Sequence, residues 1–102
     1  MTTLLYFEFP SDGPFGQEAA TAYASLAADI STEEGLVWKV WTEQPEASRA
    51  GGVYLFEDAE SATRYVEKHT ERLAGFGITD ITAKEFTVNE DLSDTTRAVL
   101  HR

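Results

Sequence analysis

The 102-residue sequence predicts an α+β domain with its elements in the order βαββαβ, and three observations predict it. Four runs rich in β-branched and aromatic residues are separated by clusters of turn formers. Two longer segments repeat their apolar residues at helical spacing. The two β-α-β halves are of similar length, which suggests the split arrangement, an antiparallel sheet with both helices packed on one face.

Residues 2–9, Thr-Thr-Leu-Leu-Tyr-Phe-Glu-Phe, form the first strand and stop at the turn-forming Pro10-Ser11-Asp12-Gly13. Pro14 suits the first position of a helix, where its missing N–H has no intrahelical partner, with Asp12 or Gly13 as the cap. Phe15, Ala19, Ala22, Tyr23, Leu26, Ala27 and Ile30 then share one face of a single helix. Gly35 ends that unit. Leu36 to Glu43 reads as the second strand, Gln44 to Ala50 as a polar connection, and Gly51 to Phe56 as the third strand, in a hairpin with a longer loop. Asp58 caps a second helix whose inner face is Ala59, Ala62, Tyr65, Val66, His69 and Leu73, closed by Gly75 and Gly77. Residues 78–88 form the fourth strand, and Asn89 to Arg102 is a polar tail with an apolar patch at Val99-Leu100.

A sheet with helices on one side leaves its other face uncovered. Strict alternation along the second strand puts Leu36, Trp38 and Val40 on one face, and Val37, Lys39, Trp41 and Glu43 on the other. The first set is drier and is expected under the helices. The second set, an indole among charged neighbours, suits a partner surface, so a homodimer formed sheet to sheet is expected.

One domain over residues 1–102, 42% apolar, is enough for a modest core. The net charge of −10 is spread over both halves and no basic stripe exists, which disfavours nucleic acid and anionic membrane surfaces as partners. A neutral or cationic small molecule meets no such barrier. The absence of cysteine removes disulfides, thiolate nucleophiles and the usual structural zinc sites. The N-terminus enters a strand pattern at once, without a basic region or a long apolar run, so a cytoplasmic protein is expected.

Few residues stand out for chemistry. His69 is turned toward the sheet, where an imidazole can move a proton or can simply bond a carbonyl or a tyrosine hydroxyl. Trp38 and Trp41, three residues apart in one strand, face opposite sides and cannot both line a pocket with His69. Each serves equally well as packing bulk. Tyr54 and Tyr65 carry hydroxyls that need partners if buried. Lys39, Glu43 and Glu57 read as ordinary surface charges. No nucleotide loop, G-x-S-x-G elbow or H-E-x-x-H pair is present, and with His101 in the tail no metal site is expected.

Taken together, Gly13-Pro14-Phe15-Gly16, Trp38-Lys39-Val40-Trp41-Thr42-Glu43, Ala50-Gly51-Gly52-Val53-Tyr54-Leu55-Phe56 and Glu67-Lys68-His69-Thr70 with Arg72-Leu73 resemble the YdhR family of monooxygenases, named by similarity. The blocks are ungapped, in order and span nearly the whole chain. The resemblance implies a ferredoxin-like fold that pairs into a dimeric α/β barrel. It also implies a superfamily that includes cofactor-independent antibiotic-biosynthesis monooxygenases, which oxidise polycyclic phenols with dioxygen. One departure is that the only asparagine is Asn89, whereas the polyketide oxygenases typically place one in the pocket.

A cofactor-independent monooxygenase of that kind, with a small aromatic or phenolic substrate as its own reductant, needs a dry aromatic pocket, a proton acceptor and an oxyanion donor. His69 is the expected acceptor, Tyr65 or Trp38 the donor, and Trp41 and Tyr54 complete the substrate-binding candidates. The alternative is a non-catalytic dimeric module for a small hydrophobic ligand. A second polar group facing His69 from the sheet distinguishes the two, and strict alternation puts only Leu36, Trp38 and Val40 there, which weighs toward binding.

Overall fold

The computed structural model describes all residues, 1–102. Its strands are β1 (Thr3–Pro10), β2 (Leu36–Gln44), β3 (Arg49–Phe56) and β4 (Thr82–Thr87). They form one antiparallel sheet in the order β2-β3-β1-β4. The helices are α1 (Gly16–Ala22), α2 (Ala24–Ile30), α3 (Ala59–Gly75) and α4 (Glu90–Thr95). This is the ferredoxin-like α+β architecture expected from the sequence. No helix is long and apolar enough to cross a membrane.

The core lies between the sheet and α2 and α3. Leu5 and Phe7 of β1, Leu36 of β2, and Tyr54 and Phe56 of β3 meet Ile30, Ala62, Tyr65 and Leu73 from the helices. Phe7 is fully buried and meets Tyr54 and Tyr65 edge-on, at centroid distances of 5.9 and 6.4 Å. Helix α3 starts as its sequence indicates, with the Asp58 carboxylate accepting from Ser61 N at 2.7 Å. Its buried residues are Ser61, Ala62, Tyr65, His69 and Leu73, while Ala59 is exposed rather than inward. Gly35 turns the chain into β2 at a φ of +84°, and a Cβ there would stand 2.4 Å from Ser61 Oγ.

Four larger features also differ from expectation. The first helix is two: the chain turns at Tyr23, which closes α1 and opens α2. It begins at Gly16 with Phe15 as cap, so Pro14 lies in the preceding loop. Strand β4 is shorter than residues 78–88, because Ile78 and Ile81 pack against the core from the connection before it. The tail contains α4, capped by the Asn89 side chain, which accepts from Leu92 N, and tied to the residue just before β1 by Thr2 N donating to Glu90.

The fourth difference reorganises the sheet. Leu36 pairs with Phe56 but Trp38 pairs with Leu55, so Val37 is an extra residue in β2 and forms a β-bulge. Leu36 keeps its place in the core. Beyond the bulge, every side chain is on the face opposite to the one strict alternation assigns. Lys39, Trp41 and Glu43 join Tyr54 and Gly52 on the helix side, and Trp38 and Val40 join Leu55 and Val53 on the outer side.

Candidate functional site

A cavity of about 770 Å³ opens between the sheet and the helices. Its floor includes Phe9 of β1, Lys39 and Trp41 of β2 and Tyr54 of β3, and its far wall is α3 through His69 and Leu73. Tyr23 and Leu26 cover it from the other helices. Such a volume suits a drug-sized organic molecule, and its lining mixes aromatic rings, Phe9, Tyr23, Trp41 and Tyr54, with polar groups that include Lys39 and His69.

The turn between α1 and α2 lays the Tyr23 ring over the Trp41 indole, at 6.2 Å and nearly parallel. Both rings remain partly exposed, so the pair forms the mouth of the cavity. Glu43, further along β2, accepts from Gly16 N with both carboxylate oxygens, at 3.1 and 3.0 Å, and so fixes the start of α1 to the sheet.

Lys39 lies deeper. Its Nζ is 3.5 Å from the centre of the Trp41 ring and 4.6 Å from that of Tyr54. Room for it comes from β3: Gly52 pairs opposite Trp41, and a Cβ at Gly52 would stand 2.7 Å from Lys39 Cε and 3.2 Å from the Tyr54 ring. The four ion pairs of the chain join Arg49 to Glu8, Arg64 to Glu34, Lys68 to Glu33 and Arg72 to Asp29, and none includes Lys39. Burial, with a smaller contribution from the Arg72 charge, lowers the Lys39 amine to about 7.

His69 is buried, stacked on Tyr65 at 5.0 Å and edge-on to Phe7 at 5.2 Å. Arg72, one helical turn on, places Nε 3.3 Å and Nη2 3.2 Å from His69 Nδ1, while its Nη1 holds Asp29 of α2 at 2.8 Å. A guanidinium only donates, so Nδ1 is the acceptor and the ring proton is on Nε2. Nε2 makes no bond within the protein, and His69 lines the cavity. Burial first, then the Lys39 and Arg72 charges, lower His69 to about 3, which keeps the ring neutral across the physiological range. Behind it the Tyr65 hydroxyl donates to that of Tyr54 at 3.3 Å. Burial raises both phenols, Tyr65 to about 12, so neither ionises near neutrality. No group of three or more His, Asp or Glu side chains is placed to hold a metal ion.

Of the residues singled out in the sequence, the structure brings His69, Trp41 and Tyr54 into one cavity. Tyr65 is wholly buried and supports that wall from behind without lining it. Trp38 lies on the outer face, where its Nε1 donates to Val99 O at 2.8 Å, so it cannot serve His69 as the expected donor. Sequence reasoning missed Lys39 and Tyr23. The available signal for Lys39 was the Gly51-Gly52 pair in the neighbouring strand, which leaves space beside the only lysine of an otherwise aromatic and β-branched stretch.

A family model described as "Putative mono-oxygenase ydhR" matches residues 4–99. No curated protein sequence is similar enough to count as a match. Among solved structures, the chain resembles SnoaB, a cofactor-independent oxygenase from Streptomyces nogalater, at 15% identity and a TM-score of 0.61, over 86% of this chain and 93% of that one. It also resembles the structural-genomics protein YJCS, at 15% identity and a TM-score of 0.62, over 87% and 100% of the two chains. A "putative antibiotic biosynthesis monooxygenase" from Deinococcus radiodurans follows at 12% identity and a TM-score of 0.55, over 87% and 93%. At these identities the likeness is one of fold.

Proposed function

The chain belongs to the YdhR family, and from that premise we propose that it is a cofactor-independent monooxygenase, taking a small aromatic or phenolic substrate into the helix–sheet cavity and oxidising it with dioxygen. The observation that carries this reading is Lys39. An enzyme of this kind needs a second polar group facing His69 from the sheet, and the bulge at Val37 turns Lys39 there in place of the apolar Val40. Two groups able to handle protons then converge on a space walled by Trp41, Tyr54 and Phe9. A purely hydrophobic carrier has no need of an unpaired lysine beneath its ligand, because the buried charge only costs binding energy. That weighs against the non-catalytic module.

The proposal includes a pair of chains as the working unit. On the outer face of the sheet Val40 is 54% and Phe86 48% exposed, beside half-buried Leu4, Tyr6 and Val53. A second copy set against this face removes the apolar surface from water, leaving Glu8, Arg49 and Lys84 at its rim.

The test is oxygen uptake by the purified protein with anthrone-like and hydroquinone-like compounds, with chelator present and no nicotinamide or flavin added. Uptake is expected to continue under those conditions and to fall by roughly 10²-fold in Lys39→Met, the usual scale for loss of an acid–base group. Phenols that bind in the cavity without any oxygen uptake across the panel point instead to the binding module.

A further inference from the structure

The groups around Lys39 are few and can be named from every side. From β2 comes Glu43, whose two oxygens are engaged by Gly16 N–H, and from β3 the neutral Tyr54. From α3 come His69 and Arg72, and Asp12 stands at the cavity mouth. Arg72 is neutralised by Asp29. Lys39 is therefore the one cationic side chain of the cavity lining, and no carboxylate pairs with it. Opposite it, Arg72 fixes the His69 ring so that an N–H, not a lone pair, is left for the cavity. An amine and an N–H donor facing one aromatic-lined space make an incomplete set, and the missing member is an oxyanion attached to an aromatic ring.

We propose that Lys39 and His69 form an oxyanion site that takes weakly acidic phenols and enols and holds them as their anions, Lys39 accepting the proton and His69 Nε2–H donating to the oxygen. This deepens the functional reading and rests on the cavity being the substrate site. The step is balanced in itself: the substrate O–H bond breaks, an N–H bond forms on the Lys39 amine, and the electron pair stays on oxygen. The products are a phenolate and an ammonium, with no oxidant consumed. His69 is thus a donor in this site rather than the proton acceptor its sequence position suggested, and Arg72 is the positioning residue that makes it one. An amine poised near neutrality suits the acceptor role, because a substantial share of it is unprotonated near pH 7 yet it keeps the proton once an anion lies beside it.

The probe is 4-nitrophenol, whose phenolate absorbs in the visible range, with 4-nitroanisole as a methyl ether of similar shape that cannot ionise. At a pH below the ionisation of the free phenol, the protein is expected to bind both, and bound nitrophenol is expected to show the phenolate band. Its apparent ionisation should fall by about 1–3 pH units, the range produced by an adjacent opposite charge. Lys39→Met should abolish the shift while binding the ether as before. Because methionine relieves a buried charge, the variant should fold at least as stably, which a denaturant titration checks. His69→Gln, which keeps an N–H donor, should retain most of the shift, and His69→Leu should lose part of it.

Nitrophenol that stays neutral while the ether binds overturns the oxyanion site and leaves the cavity standing. An unchanged band in Lys39→Met overturns the role of Lys39, and an unchanged band in His69→Leu overturns that of His69. Failure of both probes to bind removes the cavity as the substrate site and the inference with it. A phenolate band without oxygen uptake sinks only the oxygenase reading.

Discussion

The two faces of the sheet are built from the same four strands, yet they are different surfaces. On the helix side, Phe7, Tyr54, Phe56, Tyr65 and His69 form a continuous aromatic cluster that closes the core and then opens into a cavity with one lysine in its floor. On the outer side, Leu4, Tyr6, Val40, Val53 and Phe86 form an apolar field, bordered by the Glu8–Arg49 ion pair. The tail reaches the β2 end of this face, through the Trp38 bond to Val99 O. The difference teaches that hydrophobicity alone does not distinguish the face that carries a cavity from the face the helices leave bare. What distinguishes them is where the polar groups lie: Lys39 and His69 line an open cavity on the helix side, whereas on the outer face Tyr6, Glu8 and Arg49 bond one another at the border.

The comparison can be broken most visibly by charging each face in turn. Val40→Glu is expected to convert a particle of about twice the 11.3 kDa chain mass into a single chain by sedimentation, with the fold kept. Trp41→Glu, one residue on, is expected to leave the mass unchanged and to weaken nitroanisole binding in the cavity. The reverse pattern would show that the outer face is not where copies meet.

The core behind the cavity is the next largest effect. Phe7→Ala removes a fully buried ring that touches Tyr54, Tyr65 and His69, and should cost about 3–5 kcal/mol in denaturant unfolding. A cost under about 1 kcal/mol would mean that the cluster repacks freely.

Between about pH 7 and 10, stability should also depend on pH through the lysine of the helix-side face. Lys39 falls from 10.5 to about 7 on folding, so between those values the unfolded chain binds more protons and stability rises with pH. The rise should stop near pH 10, where the raised Tyr54 and Tyr65 begin to oppose it, since the unfolded phenols ionise first. His69, lowered from 6.5 to about 3, adds a separate rise across that acid window, shared with the lowered carboxylates of Glu8, Asp58 and Glu90. In Lys39→Met the slope above pH 7 should vanish and the acid slope should remain. A wild-type slope of zero between pH 7 and 9 would contradict burial of the amine.

The smallest effect belongs to the outer face. Trp38→Phe removes one hydrogen bond to Val99 O and should cost about 1 kcal/mol, together with faster proteolysis of the tail. An unaltered tail would mean that burial of Leu100, not the indole bond, holds it.

Much of this architecture was legible in the residues, and the exceptions have physical reasons. Strands β1 and β2 lie within a residue of where alternation and turn formers place them, β3 begins two residues early, and Asp58 starts α3 because a short acidic side chain reaches the free N–H of Ser61. The turn at Tyr23 was invisible because one non-helical residue leaves the apolar face continuous on both sides. Ile78 and Ile81 read as strand because they are apolar and β-branched, but they use that character to pack on the core from a connection. The candidate site suffered most. Of its sequence candidates, His69, Trp41 and Tyr54 line the cavity, yet Lys39 was taken for a surface charge and Trp38 for a wall of the pocket. Both errors come from Val37, a β-branched residue of ordinary strand character whose extra place in the ladder leaves no compositional trace.

That extra place also limits how the cavity can change over generations of mutation. Substitutions in β2 alter one side chain at a time and leave each on its own side. Regularising the bulge without losing a residue is different in kind: with Leu36 held in the core and Val37 taken into the ladder opposite Leu55, the rest of the strand slides by one and the whole set facing the helices is exchanged, whereas deleting Val37 leaves every later pair as it is. Lys39, Trp41 and Glu43 would leave together, and Trp38, Val40 and Thr42 would enter. A slip of one place in the ladder would thus trade a wall that carries a lysine for one that only excludes water, and would move Lys39 to the outer face. The bulge is a phase marker for the strand, and relatives should be compared by its position before their pocket residues are compared at all.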